Sequence, residues 1–325
     1  MQEFEVAIVG GGPAGSTCAW RLRQAGIEVV VLDRESFPRT KLCAGWITPK
    51  VVADLELDIG AYPHSFMTFR HLDVYLWGTH IRIPSVQHSI RRREFDKYLL
   101  ERSGAPIYQH YVKHIDQEDG AYVIDGEFRC RYLVGAAGTK CPVYREFFRA
   151  ANPRTKLMQV VTYEHEFPYD WTDGNCHLWF FGDSLPGYAW YVPKANGHLN
   201  VGIGGMATKL KSRGGDIKTH WRHLIERLDN EGKVCNVDYQ PAGYSYYLRG
   251  KVDVLRNANA FVIGDAAGLA TRDMGEGIGP AVETGLRVAD TIVTGHEHTV
   301  AGVTRASVPG ILKQGLGQLF SGRKA

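Results

Sequence analysis

The sequence predicts a two-part α/β fold, in which a parallel-sheet portion built from both ends of the chain is interleaved with an antiparallel sheet drawn from its middle. Three observations predict it. The first 33 residues read strand, tight turn, helix, strand; residues 155 to 205 alternate apolar and polar side chains with many aromatics; residues 260 to 294 return to a buried strand, a glycine-rich turn and a helix. No repeat or low-complexity linker separates these stretches, so the two parts interleave rather than follow one another.

The opening element is Phe4–Val9, a β-branched apolar run that stops at Gly10-Gly11-Gly12-Pro13-Ala14-Gly15. Helix formers fill Ser16–Ala25, Gly26 suits a helix C-cap, and Val29–Leu32 is a second buried strand. Within this βαβ unit Gly10, Gly12 and Gly15 fit G-x-G-x-x-G, and Asp33 stands 21 residues after Gly12 at the end of the second strand. Each residue type has a physical reason. Gly10 allows the sharp turn, Gly12 lets backbone approach a pyrophosphate, and Gly15 lets helix pack on strand. The helix start offers N–H groups and a partial positive charge to phosphates. Asp33 can accept hydrogen bonds from a ribose. The pattern in this context predicts a Rossmann-like dinucleotide-binding domain.

Further along, Phe69–Leu76 and His80–Pro84 suggest a β-hairpin, and Arg92–Glu101 a helix with Phe95, Tyr98 and Leu99 on one face. Short strands are expected at Tyr122–Ile124, Phe128–Cys130 and Tyr132–Val134, the last running into Gly135-Ala136-Ala137-Gly138. The aromatic-rich stretch with Trp171, Trp179 and Trp190 suits a sheet covered on one face. Ile217, Trp221, Leu224, Ile225 and Leu228 fall at helical spacing, so Trp221 reads as core beneath a covering helix. Ala260–Ile263 enters Gly264-Asp265-Ala266-Ala267-Gly268. The loop Gly275–Gly279 then leads into a helix from about Pro280 to Thr294, with proline in the first turn. The expected division is residues 1–62, 88–150 and 252–325 for the nucleotide-binding domain and 63–87 with 151–251 for the other.

Composition narrows the function classes. The 325 residues are 44% hydrophobic, 22% charged and 11% aromatic, which excludes disordered, collagen-like and coiled-coil chains. Lys and Arg number 38 against 35 Asp and Glu, and the only dense basic run, Arg91-Arg92-Arg93, is too short for a nucleic-acid-binding face. The six cysteines (Cys18, Cys43, Cys130, Cys141, Cys176, Cys235) form no Cys-x-x-Cys pair, and no His pair has metal-ligand spacing, so neither a metal site nor a disulfide framework is expected. No signal-peptide pattern and no run of about 18 apolar residues occurs. The expectation is a soluble cytoplasmic protein. Apolar residues and basic charges within 310–325 leave a peripheral membrane contact open, with docking on the protein body the favoured reading.

Four stretches, Val9–Gly15, Phe37–Gly45, Arg92–Leu100 and Ile263–Gly268 with Gly275–Ile278, resemble the FAD-dependent oxidoreductases of the p-hydroxybenzoate hydroxylase fold. A fifth, Tyr188-Ala189-Trp190-Tyr191-Val192-Pro193 followed by Gly202-Ile203-Gly204, resembles the geranylgeranyl reductase branch, with Val192 where that branch has Phe. The resemblance implies a glutathione reductase-type FAD-binding domain with an interleaved antiparallel-sheet substrate domain. It places FAD on Gly10, Gly12, Pro13, Ala14, Gly15, Asp33 and Arg34 at one turn. Ala44, Arg92 and Gly138 are further contacts, and Gly264, Asp265, Gly275, Gly277 and Ile278 form the second turn. Asp265 would accept from ribityl hydroxyls, Arg92 would reach the pyrophosphate or ribityl region while Arg91 and Arg93 stay solvated, and the N–H groups at the helix start after Gly277 would stabilise anionic reduced flavin. Cys43, Tyr188 and Trp190 are the implied catalytic candidates. For Cys43 the bland alternative is a small buried hydrophobe; for the two aromatics it is sheet core.

Three departures bear on substrate: Ala137 stands where the family has Asp, Trp46 replaces a small residue, and the chain ends sooner after the last helix than in lipid reductases. No second G-x-G-x-x-G occurs, so NAD(P)H or another external reductant would meet the flavin transiently. The expected activity is reduction of carbon–carbon double bonds in an isoprenoid or similar apolar, lipid-like substrate. The alternatives are a flavin monooxygenase or halogenase, the latter disfavoured because Tyr188 stands where its signature has Trp, and a flavin-binding regulatory or protective protein.

Overall fold

The computed structural model describes residues 1–297 and 299–307. The chain opens with β1 (Gln2–Val9), α1 (Pro13–Gln24), β2 (Val29–Asp33), β3 (Trp46–Ile47), α2 (Pro49–Asp54), β4 (Met67–Leu76), β5 (Thr79–Ser89) and α3 (Arg92–Arg102). It continues with β6 (Ile107–Gln109), β7 (Ile115–Glu118), β8 (Ala121–Ile124), β9 (Phe128–Gly135), β10 (Gln159–Pro168), β11 (Cys176–Phe180), β12 (Gly187–Lys194) and β13 (His198–Met206). The last elements are α4 (Ala207–Ser212), α5 (Ile217–Asn230), β14 (Ala242–Tyr247), β15 (Arg256–Asn257), β16 (Ala260–Val262) and α6 (Ile278–Thr294).

Packing divides the chain into two units. The first holds Met1–Arg39, Asp96–Arg154 and the described residues from Tyr247 onward; the second holds Thr40–Phe95 and Thr155–Tyr246. This differs from the division read from sequence at the seams. Residues 40–62 and 88–95 join the second unit, since Trp46 and Ile47 pair with Ser89 and His88 in its sheet. Residues 151–154 and 247–251 join the first, where Arg154 and Arg249 are anchored on backbone carbonyls of Ala266 and Val303.

In the first unit the sheet runs β15-β16-β9-β1-β2-β6, with β8 and β7 added beyond β9. Its central pairings are parallel: Val9 lies beside Leu32 on one side and Gly135 on the other, and Val262 beside Gly135. Val6, Ala7 and Ile8 are fully buried, as a strand covered on both faces requires. Helices α1 and α6 pack backbone to backbone, for a Cβ added at Gly285 would lie 2.6 Å from the Ala14 carbonyl oxygen.

The second unit carries the sheet β14-β10-β13-β12-β11-β4-β5-β3. The pairs β10–β13, β13–β12, β12–β11, β4–β5 and β5–β3 are antiparallel, as expected of this part, while β4 and β11, which no hairpin joins, pair in parallel. One face, formed by Phe167, Trp179, Ala189, Tyr191, Val201 and Ile203, packs against Trp221, Leu224 and Leu228 of α5. Trp221 is core, as its helical spacing predicts. By strand alternation Tyr188, Trp190, Glu164, Asn200 and Gly202 share the opposite face.

Candidate functional site

The glycine turn after β1 is built for close approach. Gly10 has φ +111°, and a Cβ there would stand 2.6 Å from backbone atoms of Ala136 and Ala137; a Cβ at Gly15 would lie 1.9 Å from the Gly10 oxygen. Gly12 is the N-cap of α1, Pro13 is its first residue, and no side chain caps the helix. The helix start therefore keeps the character of an anion-binding end.

The second turn meets the first. Because β9 pairs with both β1 and β16, their C-terminal ends are neighbours, and a Cβ at Gly264 would lie 3.1 Å from the Ala14 side chain and 3.2 Å from that of Ala281. The Gly264 N–H donates to Thr284 Oγ1 at 3.0 Å. Asp265 is half-buried, and its Oδ1 would be 2.9 Å from a Cβ at Gly277. Gly138 (φ +68°) and Gly275 (φ +65°) both occupy the left-handed region that favours glycine.

Asp33 is buried, accepting from Gly11 N–H at 2.7 Å through Oδ2 and from Glu35 N–H at 2.9 Å through Oδ1. It thus holds the glycine loop while each oxygen keeps acceptor capacity for a hydroxyl. Arg34 is exposed and pairs with Glu35 at 3.2 Å. Two cations that sequence did not single out stand here. Arg39 lies over Gly12, 3.3 Å from where a Cβ would be, and pairs with buried Asp96 at 3.3 Å. Arg154 donates to the carbonyls of Thr139, Asp265 and Ala266, joining the turn at Gly138 to the turn at Gly264. An uncapped helix start, glycines at close approach, a ribose-height carboxylate and a cation over the loop fit a dinucleotide.

The start of α6 corrects an expectation. Its first N–H groups are not free, because the Glu276 carboxylate accepts from Gly279 N–H at 2.6 Å and from Ile278 N–H. Burial, with the like charges of Asp265 and Glu283, pushes this carboxyl up to about 7. Only the sequence position of Glu276, three residues before Gly279 at a helix start, could have signalled the cap.

The second unit places Cys43, Ala44, Tyr188 and Trp190. Gly45 has φ +69°, and a Cβ there would lie 2.2 Å from the Ile90 oxygen. The Cys43 Sγ accepts the Gly45 N–H at 3.3 Å. Lys194, fully buried at the end of β12, donates to the carbonyls of Ala44, Ile90 and Gly45, which tethers the Cys43–Gly45 turn. Burial lowers its pKa. Asn200 adds a second tether, with Nδ2 donating to the Cys43 oxygen at 3.3 Å and Oδ1 accepting from Trp190 Nε1 at 2.7 Å. Neither Lys194 nor Asn200 was legible as a site residue, because a lysine closing a strand ordinarily points to water.

Trp190 lies over the glycine pair: a Cβ at Gly202 would be 2.3 Å from its ring, and one at Gly204 3.5 Å. This is the local reason for glycine at 202, whereas at 204 the ring would make only ordinary contact. Tyr188 is half-buried, stacked on Phe180 with centroids 5.0 Å apart. Beside them Glu164 is 2% exposed, and its Oε2 has no hydrogen-bond partner among the described residues. The signal that could have found it is the polar alternation Thr162, Glu164, Glu166 on an otherwise aromatic sheet. Arg92 is buried at the start of α3. Arg91 is not solvated as expected, since it pairs with Glu166 at 2.9 Å and Glu94 at 2.8 Å; Arg93 is exposed.

Among the described residues no helix is long and apolar enough to cross a membrane, and no cluster of three or more His, Cys, Asp or Glu could hold a metal. The tail at 310–325 lies outside the described residues.

Comparison with known proteins agrees with this geometry. Residues 5–89 match the family described as FAD dependent oxidoreductase. An uncharacterised protein of Methanosarcina barkeri is 30% identical, over 90% of this chain and 75% of its own length. The menaquinone reductase of Mycobacterium tuberculosis is 27% identical, over 89% of this chain and 76% of its own. The digeranylgeranylglycerophospholipid reductase 2 of Methanosphaera stadtmanae is 26% identical, over 88% and 77%. A geranylgeranyl bacteriochlorophyll reductase-like protein of Thermoplasma acidophilum superposes with a TM-score of 0.75 at 21% identity, covering 90% of this chain and 78% of that one, a likeness of fold. The converging glycine turns and these relatives lead to one conclusion: the chain is an enzyme of the FAD-dependent oxidoreductase family, related at modest identity to geranylgeranyl reductases.

Proposed function

We propose that this enzyme reduces carbon–carbon double bonds of an isoprenoid or similarly apolar substrate, its FAD being re-reduced by an external donor such as NAD(P)H that binds transiently. The observation that carries the reading is the face of the second sheet opposite α5, where buried Trp190 and Phe180 and half-buried Tyr188 form an aromatic floor beside Gly202 and Gly204. Such a floor suits a hydrocarbon chain, which gains from apolar contact and offers nothing for polar groups to bind. The geranylgeranyl group in the name of the Methanosphaera relative's substrate supports the same class.

In the first unit the start of α1 and Arg39 would hold the pyrophosphate, and Asp33 and Asp265 would accept from ribose and ribityl hydroxyls. Bound FAD supplies two-electron chemistry as a hydride. In the second unit Lys194 and Asn200 hold the Cys43–Gly45 turn in place beside the aromatic floor.

The test is anaerobic incubation of the FAD-loaded protein with a polyprenyl substrate and a chemical or nicotinamide reductant. The expected product is heavier by two hydrogens per bond reduced. Strict dependence on O₂ with a hydroxylated or halogenated product would overturn the reading.

A further inference from the structure

We propose that Glu164, on the sheet face that carries Trp190, is the acid that delivers the proton in this reduction. The inference rests on the function proposed above and assigns it a residue outside every family motif.

The geometry starts from register. Glu164 of β10 pairs with Gly202 of β13, which pairs with Trp190 of β12, so the three lie in one row across the sheet. Gly202 has no side chain because both neighbours lean over it: a Cβ there would stand 2.3 Å from the Trp190 ring and 2.7 Å from the Glu164 Cβ. The next row holds Asn200, which ties the Cys43 carbonyl to the Trp190 indole. Glu164 therefore belongs to the cluster formed by the aromatic floor and the Cys43–Gly45 turn.

Its chemistry follows from its surroundings. A buried carboxylate needs a counter-ion or several hydrogen bonds, and Oε2 has no partner among the described residues. The charged groups that act on it are Lys41 from the loop before β3, Lys194 from β12, Arg92 from α3 and Glu166 from its own strand. Lys194 is engaged with three carbonyls and Lys41 sits over the Tyr244 ring, 3.1 Å from its centroid. Glu166, paired with Arg91, opposes the anion. Burial outweighs the cations and pushes the carboxyl up to about 8, so at neutral pH it carries a proton. A protonated carboxyl has an O–H to donate, and among the described residues Oε2 finds no partner for it.

The step balances. The O–H bond of Glu164 breaks as a C–H bond forms at one carbon of the double bond, whose π electrons make that bond. The other carbon would receive a hydride, the two-electron chemistry that bound, reduced FAD would supply. The remaining carboxylate is reprotonated from water, and an external two-electron donor restores the reduced cofactor.

The experiment compares wild type, Glu164→Gln and Glu164→Asp as FAD-loaded proteins. Infrared difference spectra of wild type against Glu164→Gln should show a protonated carboxyl band at pH 7 that is lost as pH rises past 8. In single-turnover reduction of a polyprenyl substrate, Glu164→Gln should lower the rate about 100-fold or more with FAD content and KM near wild type, as loss of a general acid does. Wild type should show a basic limb that Glu164→Gln lacks, and Glu164→Asp should recover part of the rate. Absence of the band at pH 7, or a Glu164→Gln rate and pH profile like wild type, overturns the proposal. Should wild type reduce no polyprenyl substrate, the functional reading fails, and the infrared measurement still decides whether Glu164 holds a proton. If Glu164→Gln does not fold, Glu164→Asp supplies the comparison in both measurements.

Discussion

A Cβ on Gly202 would fall 2.3 Å from the Trp190 ring, so the glycine at 202 and the tryptophan at 190 are two halves of one packing decision. The ring lies flat on β13 because that strand offers no side chain beneath it, and Asn200 then fixes its N–H at 2.7 Å. The floor of the proposed substrate site is thus specified by what is absent at 202 as much as by what is present at 190.

Gly202→Ala should therefore displace the Trp190 ring and Glu164 together. Overpacking of this kind costs about 1–3 kcal/mol. The expected result is a lowered melting temperature and a lost or much reduced turnover, with FAD content unchanged because the first unit is untouched. Wild-type turnover in this variant would contradict the packing described.

Gly15→Ala should act on the other unit. Its Cβ would meet the Gly10 oxygen at 1.9 Å, so α1 must move away from β1 and the turn that would carry the pyrophosphate moves with it. The purified variant should lack the visible flavin spectrum or bind added FAD far more weakly. Full FAD occupancy would show that the helix start is not the cofactor's anchor.

Lys194→Met removes a buried ammonium and leaves carbonyls of Ala44 and Ile90 without their donor. Each unsatisfied buried group costs about 1–3 kcal/mol, partly offset because the variant no longer buries a charge. A net loss of stability is expected in denaturant titration, with faster proteolysis within residues 40–46. Unchanged proteolysis would mean that the turn is held by other contacts.

Glu276→Gln tests the cap of α6. The carboxyl is raised to about 7, against about 4.3 in an unfolded chain. A raised carboxyl contributes stability that is present below pH 4 and lost as pH rises through 7, because the unfolded state ionises first. Glutamine keeps an acceptor for the Gly279 N–H without the charge. Relative to wild type, the cofactor-free variant should gain stability from pH 5 to pH 8, by at most about 3 kcal/mol. A difference independent of pH would rule out titration of Glu276 in this range.

Local chemistry was open to reading in the sequence wherever one residue type answers one backbone demand. Gly10, Gly12 and Gly15 follow a strand and open a helix, and that spacing has few other uses. The same holds for Gly264–Asp265 after a buried strand and for the helical spacing of Trp221. Lys194 and Glu164 were not readable, because a charged residue in a strand alternates toward water in most sheets. Only the burial of their face makes one a tether and leaves the other with an Oε2 that has no partner among the described residues. The first N–H groups of α6 looked free in sequence, and the Glu276 side chain that folds back on them is a tertiary outcome.

The amino-acid order by itself determined the βαβ start, the α/β return near the end, the interleaving of two parts and the resemblance to a flavin-binding family, since these depend on period, spacing and backbone sterics over a few dozen residues. Tertiary structure decided where the seams between the units fall, that Gly264 meets Ala14, and that Arg39, Arg154, Lys194, Asn200 and Glu164 belong to the candidate sites. The physical reason is that burial and hydrogen-bond partners come from strands distant in the chain, and the cost of an unpaired charge is set by surroundings that no local window contains.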